Sequence, residues 1–437
     1  MPYSPTSLRL PLLSIGFLTL AALLPAPARS DAGVALLGAE FQVNDYTDQN
    51  QSFPHVATAP DGRTVVVWES VGQDGDRDAV IARRYAADGS PAGDEFIVNT
   101  TSTNHQSQAS VAMAADGSFV VVWRSQAQDG DGWGVYARRF DAAGQAVGDE
   151  FRVSVESENN QELAVAAFDR DSHLMVAWES EEQDGSAGGI YGRIYDSDGV
   201  AGDEIPINTT TSGWQNDVEV AALPSGFVVT WESLNVDDDF RGVVYRRYSA
   251  AGAPLAGEQL ANVTEAGNQN NSAVAVQPDG TFMIAWESDG QDGSDATVIA
   301  RIFDADGTPA GGEVQINQTT GGDQEKISLA VDGQGGYVVV WEGEAESGGS
   351  FDEIWGRRVL GDGAPVGDEF RINTSTSNRQ VFPAVAGSAD GQLTAVWHSW
   401  TGDGSGTRVV GQRLRVTGLF RDGFESGDLS SWSETVP

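Results

Sequence analysis

The run Phe227-Val228-Val229-Thr230-Trp231 decides the fold, because six near-copies of it occur elsewhere in the chain. Each copy is short, rich in β-branched residues and closed by tryptophan, a composition typical of a β-strand. Successive tryptophans lie 53 to 56 residues apart, at Trp68, Trp123, Trp178, Trp231, Trp286, Trp341 and Trp397. One unit is therefore repeated seven times.

Each unit contains four strand-like segments. In the unit around Trp123 they are residues 110–113, 119–125, 135–140 and 150–153, which we call strands a, b, c and d. Glycine-containing tight turns join a to b and c to d, whereas the b–c and d–a connections are longer and polar. Repeated four-stranded antiparallel units are typical of the blades of a β-propeller.

The ends of the chain indicate how the repeats are arranged. Residues 40–44 have the pattern of a d strand with no a, b or c strand before them, and the last unit has a, b and c strands with no d strand after them. The sequence therefore predicts an all-β, seven-bladed propeller whose N-terminal strand completes the last blade and removes the exposed sheet edges. An open solenoid is the alternative.

The domain organisation follows from the repeat. Residues 1–28 have the basic, apolar and Ala-x-Ala pattern of a secretory signal peptide, and we interpret residues 29–39 as a short linker. The propeller spans residues 40–416, and residues 417–437 form a C-terminal tail that is either a sorting or attachment segment or disordered. No later segment is apolar enough to span a membrane. We therefore expect a secreted bacterial protein, extracellular or periplasmic.

Composition limits the partners. The chain has 64 acidic and 25 basic residues and a net charge of −39, which repels nucleic acid and anionic membrane surfaces. It has no cysteine, so disulfides and thiolate chemistry are excluded. Adaptation to salt and a demand for divalent cations are two explanations of the charge. The oligomeric state is not indicated by the sequence.

Polar residues also recur at fixed places in the units. A glutamine such as Gln51 ends every d–a loop, and we interpret it as an amide that ties neighbouring blades through backbone hydrogen bonds. A glutamate such as Glu69 follows the tryptophan in five units, and an arginine such as Arg83 recurs in strand c in six. Opposite charges on paired strands suggest a cross-strand ion pair.

The longer loops suggest a cation site. Because the four strands alternate in direction, all b–c and d–a loops lie on one side of the ring, which we call the long-loop face. The run from Asp74 to Asp78 resembles the first half of a calcium loop, although the glycine and distal glutamate of an EF-hand are missing. A solvated acidic turn is the alternative. The candidate calcium ligands are Asp74, Asp76, Asp78, Asp129, Asp131 and Asp237.

Three tryptophans outside the repeat position are candidate ligand-binding residues. Trp133, Trp214 and Trp400 fall in or beside the long loops. Exposed aromatic rings among Asp, Asn and Gln commonly grip a sugar, because the ring stacks on its apolar face while polar groups bond its hydroxyls. The alternative is that each ring covers the edge of a blade.

Signatures of known enzymes do not decide the function. The a–b hairpins resemble sialidase-type Asp boxes, but their Asp-to-Trp spacing is longer. The four histidines have no metal-ligand spacing, and no nucleophile elbow or phosphate loop occurs. A catalytic carboxylate pair cannot be singled out among 64 acidic residues.

Taken whole, the unit resembles repeats of large exported bacterial proteins, including calcium-dependent adhesins of the RTX type. The resemblance lies in Val-Val-Val-Trp-Glu-Ser, Gln-Asp-Gly-Asp-Gly and Gly-Asp-Glu-Phe-Arg-Val segments and covers nearly the whole chain after residue 40. It favours a non-catalytic binding or adhesion propeller that engages an extracellular glycan or surface protein on the long-loop face, with calcium as the candidate cofactor. The competing interpretation is a carbohydrate-active hydrolase or lyase that uses Asp and Glu on that face.

We predict that calcium raises the melting temperature of the mature protein more than magnesium does at equal ionic strength. A site present only in the native state stabilises the fold by mass action, and Asp74→Ala and Asp76→Ala should abolish the effect. Thermal unfolding with calcium, with magnesium and with chelator measures it. Equal stabilisation by every salt would mean that these acids are surface charge.

Overall fold

The computed structural model describes residues 33–234, 236, 240–344, 352–401 and 406–417. These residues form 28 β-strands in seven four-stranded antiparallel sheets, so the predicted all-β, seven-bladed propeller is confirmed. The predicted signal peptide and all but the first residue of the predicted tail lie outside the described residues. Within them, no helix has the length and hydropathy needed to cross a membrane.

Six blades follow the chain in the order a, b, c, d. Blades 1 and 2 comprise β2 (Gln51–Thr58), β3 (Thr64–Val71), β4 (Asp78–Tyr85), β5 (Phe96–Ile97), β6 (Gln106–Met113), β7 (Phe119–Gln126), β8 (Trp133–Phe140) and β9 (Phe151–Arg152). Blades 3 and 4 comprise β10 (Gln161–Phe168), β11 (Leu174–Glu181), β12 (Gly188–Tyr195), β13 (Ala201–Pro206), β14 (Gln215–Leu223), β15 (Gly226–Leu234), β16 (Arg241–Tyr248) and β17 (Gln259–Leu260). Blades 5 and 6 comprise β18 (Gln269–Val276), β19 (Phe282–Asp289), β20 (Ala296–Phe303), β21 (Val314–Gln315), β22 (Gln324–Val331), β23 (Gly336–Glu344), β24 (Asp352–Leu360) and β25 (Pro365–Arg371).

Blade 7 is built from both ends of the chain. It contains β26 (Gln380–Gly387), β27 (Gln392–Trp400), β28 (Thr407–Val416) and, as its d strand, β1 (Val34–Gln42). β1 begins at Val34 and so takes in residues 34–39 of the segment interpreted from the sequence as a linker. The ten-residue β28 gives β1 pairing partners on both sides of a bulge at Gly38, where φ is 71°.

The seven repeat tryptophans form the core between blades. All are at most 1% exposed. The cluster around Trp123 of blade 2, for example, also contains Val65 and Val67 of blade 1. Burying so large a ring stabilises the fold through the apolar area removed from water. Because each tryptophan packs against residues of the neighbouring blade, this burial stabilises the contact between the two blades.

The repeated glutamine serves its own blade. Trp68 Nε1 donates to Gln51 Oε1 over 3.0 Å, and Gln51 Nε2 donates to the carbonyl of Asp48 in the preceding loop. The same tryptophan–glutamine bond occurs in Trp123–Gln106, Trp341–Gln324 and Trp397–Gln380. The glutamine amide thus connects the core tryptophan to the d–a loop that enters its own blade. The prediction that it bonds the backbone of two neighbouring blades is therefore corrected.

The repeated arginine joins blades, and the predicted cross-strand ion pair is wrong. In the register of β3 and β4, Arg83 lies opposite Val66 whereas Glu69 lies opposite Val80, so the two side chains are not paired. Each arginine instead donates to a carbonyl just after the d strand of the preceding blade. These pairs are Arg83–Val43, Arg138–Val98, Arg193–Val153, Arg246–Ile207, Arg301–Ala261 and Arg357–Ile316.

A second joint between blades was missed in the sequence. Every blade carries a glutamate in its d strand or immediately before it, and the carboxylate accepts backbone N–H groups of the d–a loop that leaves the preceding blade; Glu150, for example, accepts from Thr100 over 2.6 Å. The seven are Glu40, Glu95, Glu150, Glu204, Glu258, Glu313 and Glu369. The repeated Gly-Asp-Glu motif was the available signal. Glu40 accepts from Thr374 and so extends the ring of bonds to the closing strand.

We predict that Arg246→Met lowers the free energy of unfolding by about 1.5–3 kcal/mol, because its guanidinium leaves the carbonyls of Ile207 and Ala256 without their charged donor. Urea unfolding measures the loss. Arg415→Met is the matched control: this arginine is exposed on β28, and its loss should cost less than about 0.5 kcal/mol. Equal losses for both variants would contradict a specific role in joining blades.

Candidate functional site

The seven a strands surround a central channel. Near its mouth it holds a cavity of about 440 Å³, lined by residues from the first half of every a strand. Because each a strand starts from a d–a loop, this mouth opens on the long-loop face. Cavities of this size, with apolar walls and a few polar groups, are the usual form of a ligand site.

One residue at the channel mouth of each blade has a left-handed backbone. We call these seven the rim residues; their φ angles are 46–54° and all line the cavity. Each lies in a bulge where the register of strands a and b shifts. Positive φ is unfavourable for residues other than glycine and needs support from the surroundings. The rim residues are Phe53, Gln108, Leu163, Asp217, Asn271, Lys326 and Phe382.

The support comes from the residue that follows the tryptophan in the preceding blade. Glu232 Oε1 accepts the N–H of Asn271 over 2.6 Å. Equivalent bonds join Glu69 to Gln108, Glu179 to Asp217, Glu287 to Lys326, Glu342 to Phe382 and His398 to Phe53. In blade 2, where Arg124 replaces the acid, the side chain of Gln108 accepts from Leu163 instead. The repeated glutamate is therefore a structural acceptor.

Burial changes the acidity of these glutamates. It raises the pKa of Glu69, Glu287 and Glu342 to about 7, and those of Glu179 and Glu232 to about 8. For Glu179 and Glu232 the charge of Asp217 is the second cause. The rim is thus underlain by carboxyl groups that hold their protons near neutral pH.

The rim is apolar on one side and acidic on the other. Phe53 and Phe382 are neighbours in blades 1 and 7, with ring centroids 4.8 Å apart, and Phe53 is 44% exposed. In a ring of seven, blade 4 faces the boundary between blades 7 and 1. Asp217 of blade 4 therefore faces this aromatic pair across the channel.

A second carboxyl group lies beside Asp217. Glu219 also lines the cavity, and burial together with the charge of Asp217 raises its pKa to about 8. It is therefore mainly protonated at neutral pH. A protonated carboxyl group beside a carboxylate, both facing one cavity, is the arrangement that general acid catalysis requires.

The imidazole at the position of Glu219 in blade 1 is neutral. Burial lowers the pKa of His55 to about 4. Its Nδ1 is 3.3 Å from the N–H of Val111 and accepts that bond, so its proton is on Nε2. His55 therefore presents a donor to the cavity.

The acids of the first b–c loop do not converge. Each of these acids contacts a different residue of the d–a loop between blades 1 and 2. Asp74 and Asp76 accept hydrogen bonds from that loop, and Asp78 contacts an imidazole in it. The partners are Asn99 for Asp74, Asn104 for Asp76 and His105 for Asp78.

The remaining candidate ligands are also apart. Asp129 lies 3.2 Å from Arg152, Asp131 accepts from the N–H of Asn159, and Asp237 is outside the described residues. Among the described residues, one group brings three potential ligand atoms within 4.8 Å, and it lies in the a–b turn of blade 3 on the opposite face: Asp169, Asp171 and His173. Calcium binding by the predicted ligands stays a prediction.

The candidate tryptophans belong to three separate places on the long-loop face. Trp214 and Trp400 are 44% and 48% exposed. Trp133 is half-buried, and the guanidinium of Arg124 lies 4.1 Å from its ring centroid. Gly188 packs against the indole of Trp214, where a Cβ would come within 2.8 Å of it. Two of the three rings are therefore free to meet a ligand.

Sequence reasoning missed the channel residues because it took recurrence as the signal. Asp217, Glu219, Phe53 and Phe382 stand at positions that vary from unit to unit, at a fixed distance after the repeated glutamine. Variation within a strict repeat was the signal that could have identified them.

Comparison with known proteins identifies the fold. No protein-family model matches the chain, no curated protein is similar to it, and the resemblance to RTX-type repeats stays a prediction. The polysaccharide lyase Uly1 has a TM-score of 0.53 at 11% identity over 88% of this chain and 100% of its own. A protein of unknown function from Dyadobacter fermentans DSM 18053 gives 0.51 at 11% over 88% and 99%. The β-propeller domain of the Trilobed protease from Pyrococcus furiosus gives 0.50 at 8% over 87% and 98%.

We predict that the free energy of unfolding falls as pH rises from about 4.5 to 8. The unfolded chain ionises its glutamates near pH 4.5, whereas the buried ones keep their protons to pH 7–8, so the folded state binds more protons in this window. Glu219→Gln should remove about 1–3 kcal/mol of this decline. Urea unfolding across the pH range measures it.

The matched control is Glu156→Gln. Backbone N–H groups of Glu158 and Ser157 lower the pKa of this carboxylate, so its contribution to stability is lost only below pH 4.5 and the decline should be unchanged. Stability that rises between pH 5 and 8 would contradict the buried, protonated state of the channel glutamates.

Proposed function

We propose that this protein is a carbohydrate-active hydrolase that binds a glycan at the channel mouth on the long-loop face. The observation that carries the proposal is the pair Asp217 and Glu219 facing Phe53 and Phe382 across a cavity of about 440 Å³. A sugar ring has an apolar C–H face and a polar edge of hydroxyls. The aromatic wall suits the first and the carboxyl wall suits the second.

The two carboxyl groups have different roles in this proposal. Glu219, whose pKa is raised to about 8, donates a proton to the oxygen of the leaving sugar. Asp217 is the carboxylate partner, which either attacks the anomeric carbon or activates water. Glycoside hydrolysis uses such a pair of carboxyl groups on the two sides of the scissile bond.

Hydrolysis is favoured over the elimination chemistry of a lyase. A lyase needs a base to remove a proton from carbon. The imidazole in the cavity, His55, accepts the N–H of Val111 at Nδ1 and so has no free nitrogen to act as that base. The remaining carboxylate base, Asp217, is paired with the protonated Glu219, and this pair is why we propose hydrolase activity in preference to lyase activity.

The substrate in this proposal is an extracellular glycan. The signal-peptide pattern of residues 1–28 supports export of the protein. The net charge of −39 disfavours nucleic acid and other strongly anionic partners. The proposal also favours neutral polysaccharides over polyuronates, since an anionic chain would be repelled from Asp217.

A second candidate is a non-catalytic glycan-binding module. Trp214 and Trp400, each nearly half exposed on the long-loop face, favour it. In this candidate the tryptophans hold a glycan and the channel carboxyl groups shape the mouth without chemistry.

We predict that the mature protein releases reducing sugar from a neutral polysaccharide, and that Glu219→Gln and Asp217→Asn each reduce kcat at least 100-fold. Ser110→Ala is the matched control, because Ser110 stands at the position of Glu219 in another blade and lines the same cavity. It should keep activity within about threefold. Reducing-sugar assays on a panel of neutral and acidic polysaccharides measure the rates.

The same panel separates the two candidates. Binding without turnover, lost in Trp214→Ala and Trp400→Ala but kept in Glu219→Gln, would overturn the hydrolase and support the binding module. Turnover that survives both carboxyl variants would place the reaction elsewhere on the surface.

A further inference from the structure

Blade 4 contains a polar network behind Asp217. Glu232, on β15, is 1% exposed as a side chain, and burial together with the neighbouring Asp217 raises its pKa to about 8. Arg241 Nη1 donates to Glu232 Oε2 over 2.5 Å. Arg241 itself is 37% exposed, so it connects the buried pair to the long-loop face.

An amide completes the network. Asn216 Nδ2 lies 3.2 Å from Glu232 Oε2 and 3.3 Å from Asp217 Oδ2, so it bridges the two carboxyl groups. Asn216 Oδ1 accepts from Arg241 Nη1 over 3.4 Å. The four side chains form one connected set, and Asp217 is the member that lines the cavity.

The network departs from the repeat. At the position of Arg241, which opens strand c, none of the other blades has a cation. The equivalent residues are Asp78, Trp133, Gly188, Ala296, Asp352 and Thr407. In blade 1 the repeated glutamate holds the next rim residue with an aspartate, Asp78, at the position of Arg241. Arg241 is therefore not needed for the joint between blades.

We propose that Arg241 and Asn216 are positioning residues that hold Asp217, through Glu232, in the orientation and charge state that the reaction requires. This inference rests on the proposed function of Asp217. Two carboxyl groups bridged by one amide titrate as a coupled pair, and a guanidinium on one of them favours loss of a proton from the pair. The bond from Arg241 thus opposes the rise in the pKa of Glu232, the carboxyl group nearest to Asp217 in this network.

Other charges near the pair come from three strands. Glu179 of β11 accepts the N–H of Asp217. The charge of Glu162 on β10 helps to raise the pKa of Glu179, and Glu162 forms an ion pair with Arg124. Glu219 stands two residues after Asp217 on β14. From blade 5, β18 presents the neutral Asn271. Arg241 is the cation in direct contact with this acidic group among the described residues.

The test compares Arg241→Met with Arg241→Lys. Without the positive charge, the acid limb of the pH profile of kcat/KM should move to higher pH by about one unit, because an opposite charge at this distance shifts a pKa by at least that much. Lysine keeps the charge and should restore most of the wild-type profile. Arg379→Met, which breaks an ion pair with Asp352 on the same face, is the control and should leave the profile unchanged.

A readout without activity makes the test independent of the proposed reaction. The effect of Arg241→Met on unfolding in urea is measured from pH 4.5 to 8.5, in the wild-type chain and in the Asp217→Asn chain. The destabilisation caused by Arg241→Met should grow with pH in the wild-type chain. It should grow less in the Asp217→Asn chain, because one of the two coupled acids has been removed.

The outcomes separate the two proposals. Coupling in the unfolding data without glycan cleavage would support the network and overturn the hydrolase. Cleavage with a pH profile that is the same in wild type, Arg241→Met and Arg241→Lys would overturn the positioning role and leave the hydrolase standing. A pH-independent loss of stability in both backgrounds would show that Arg241 has only a structural role.

Discussion

Side chains that bond the backbone of a neighbouring blade are the interaction on which this structure depends. Adjacent blades share no strand ladder, so their union relies on packing and on such bonds. Three repeated residues supply them: the arginine of strand c in six blades, the glutamate at strand d in all seven, and the glutamate after the tryptophan in five. The first two are charged, whereas burial keeps the third protonated near neutral pH. Hydrogen bonds in which one partner carries charge are about twice as strong as neutral ones. This use of acids also accounts for part of the large negative charge.

The same bonds fix the rim of the channel. A left-handed residue turns its side chain into the channel, and the glutamate of the preceding blade secures its N–H. Because the bond involves only the backbone, the side chain at the rim is free to differ between blades. Phenylalanine, asparagine, lysine and aspartate all occupy this position. A rigid repeating frame thus presents seven independent side chains to one cavity, and the candidate chemistry is concentrated where blade 4 departs from its neighbours.

The sequence predicted the fold because the fold is periodic. Evenly spaced tryptophans and glycine turns identified the blades, and the unpaired ends of the repeat indicated closure. The side-chain partners were predicted less well, because hydrogen bonds between blades join residues about 40 or 50 positions apart and depend on strand register. Arg83 and Glu69, for example, were predicted to pair with each other, but Arg83 bonds Val43 and Glu69 bonds Gln108. The channel residues Asp217 and Glu219 could not be distinguished among so many acids. These two residues are singled out by the burial of Glu219 and by the cavity that both line, and neither property can be read from composition or spacing.

The origin of β1 determines when this molecule can be completed. Val34 pairs with Val416, and 382 positions of chain separate them, so the first strand to be synthesised waits for the last one. Until β28 appears, the growing chain is an open arc with an unpaired edge on blade 7 and a free strand at its start. Contacts of such long sequence separation form late and slowly. The ring can therefore close only when the chain is synthesised as far as β28. A truncated chain keeps two unpaired strand edges, and such edges, together with exposed apolar surface, drive incomplete chains to aggregate.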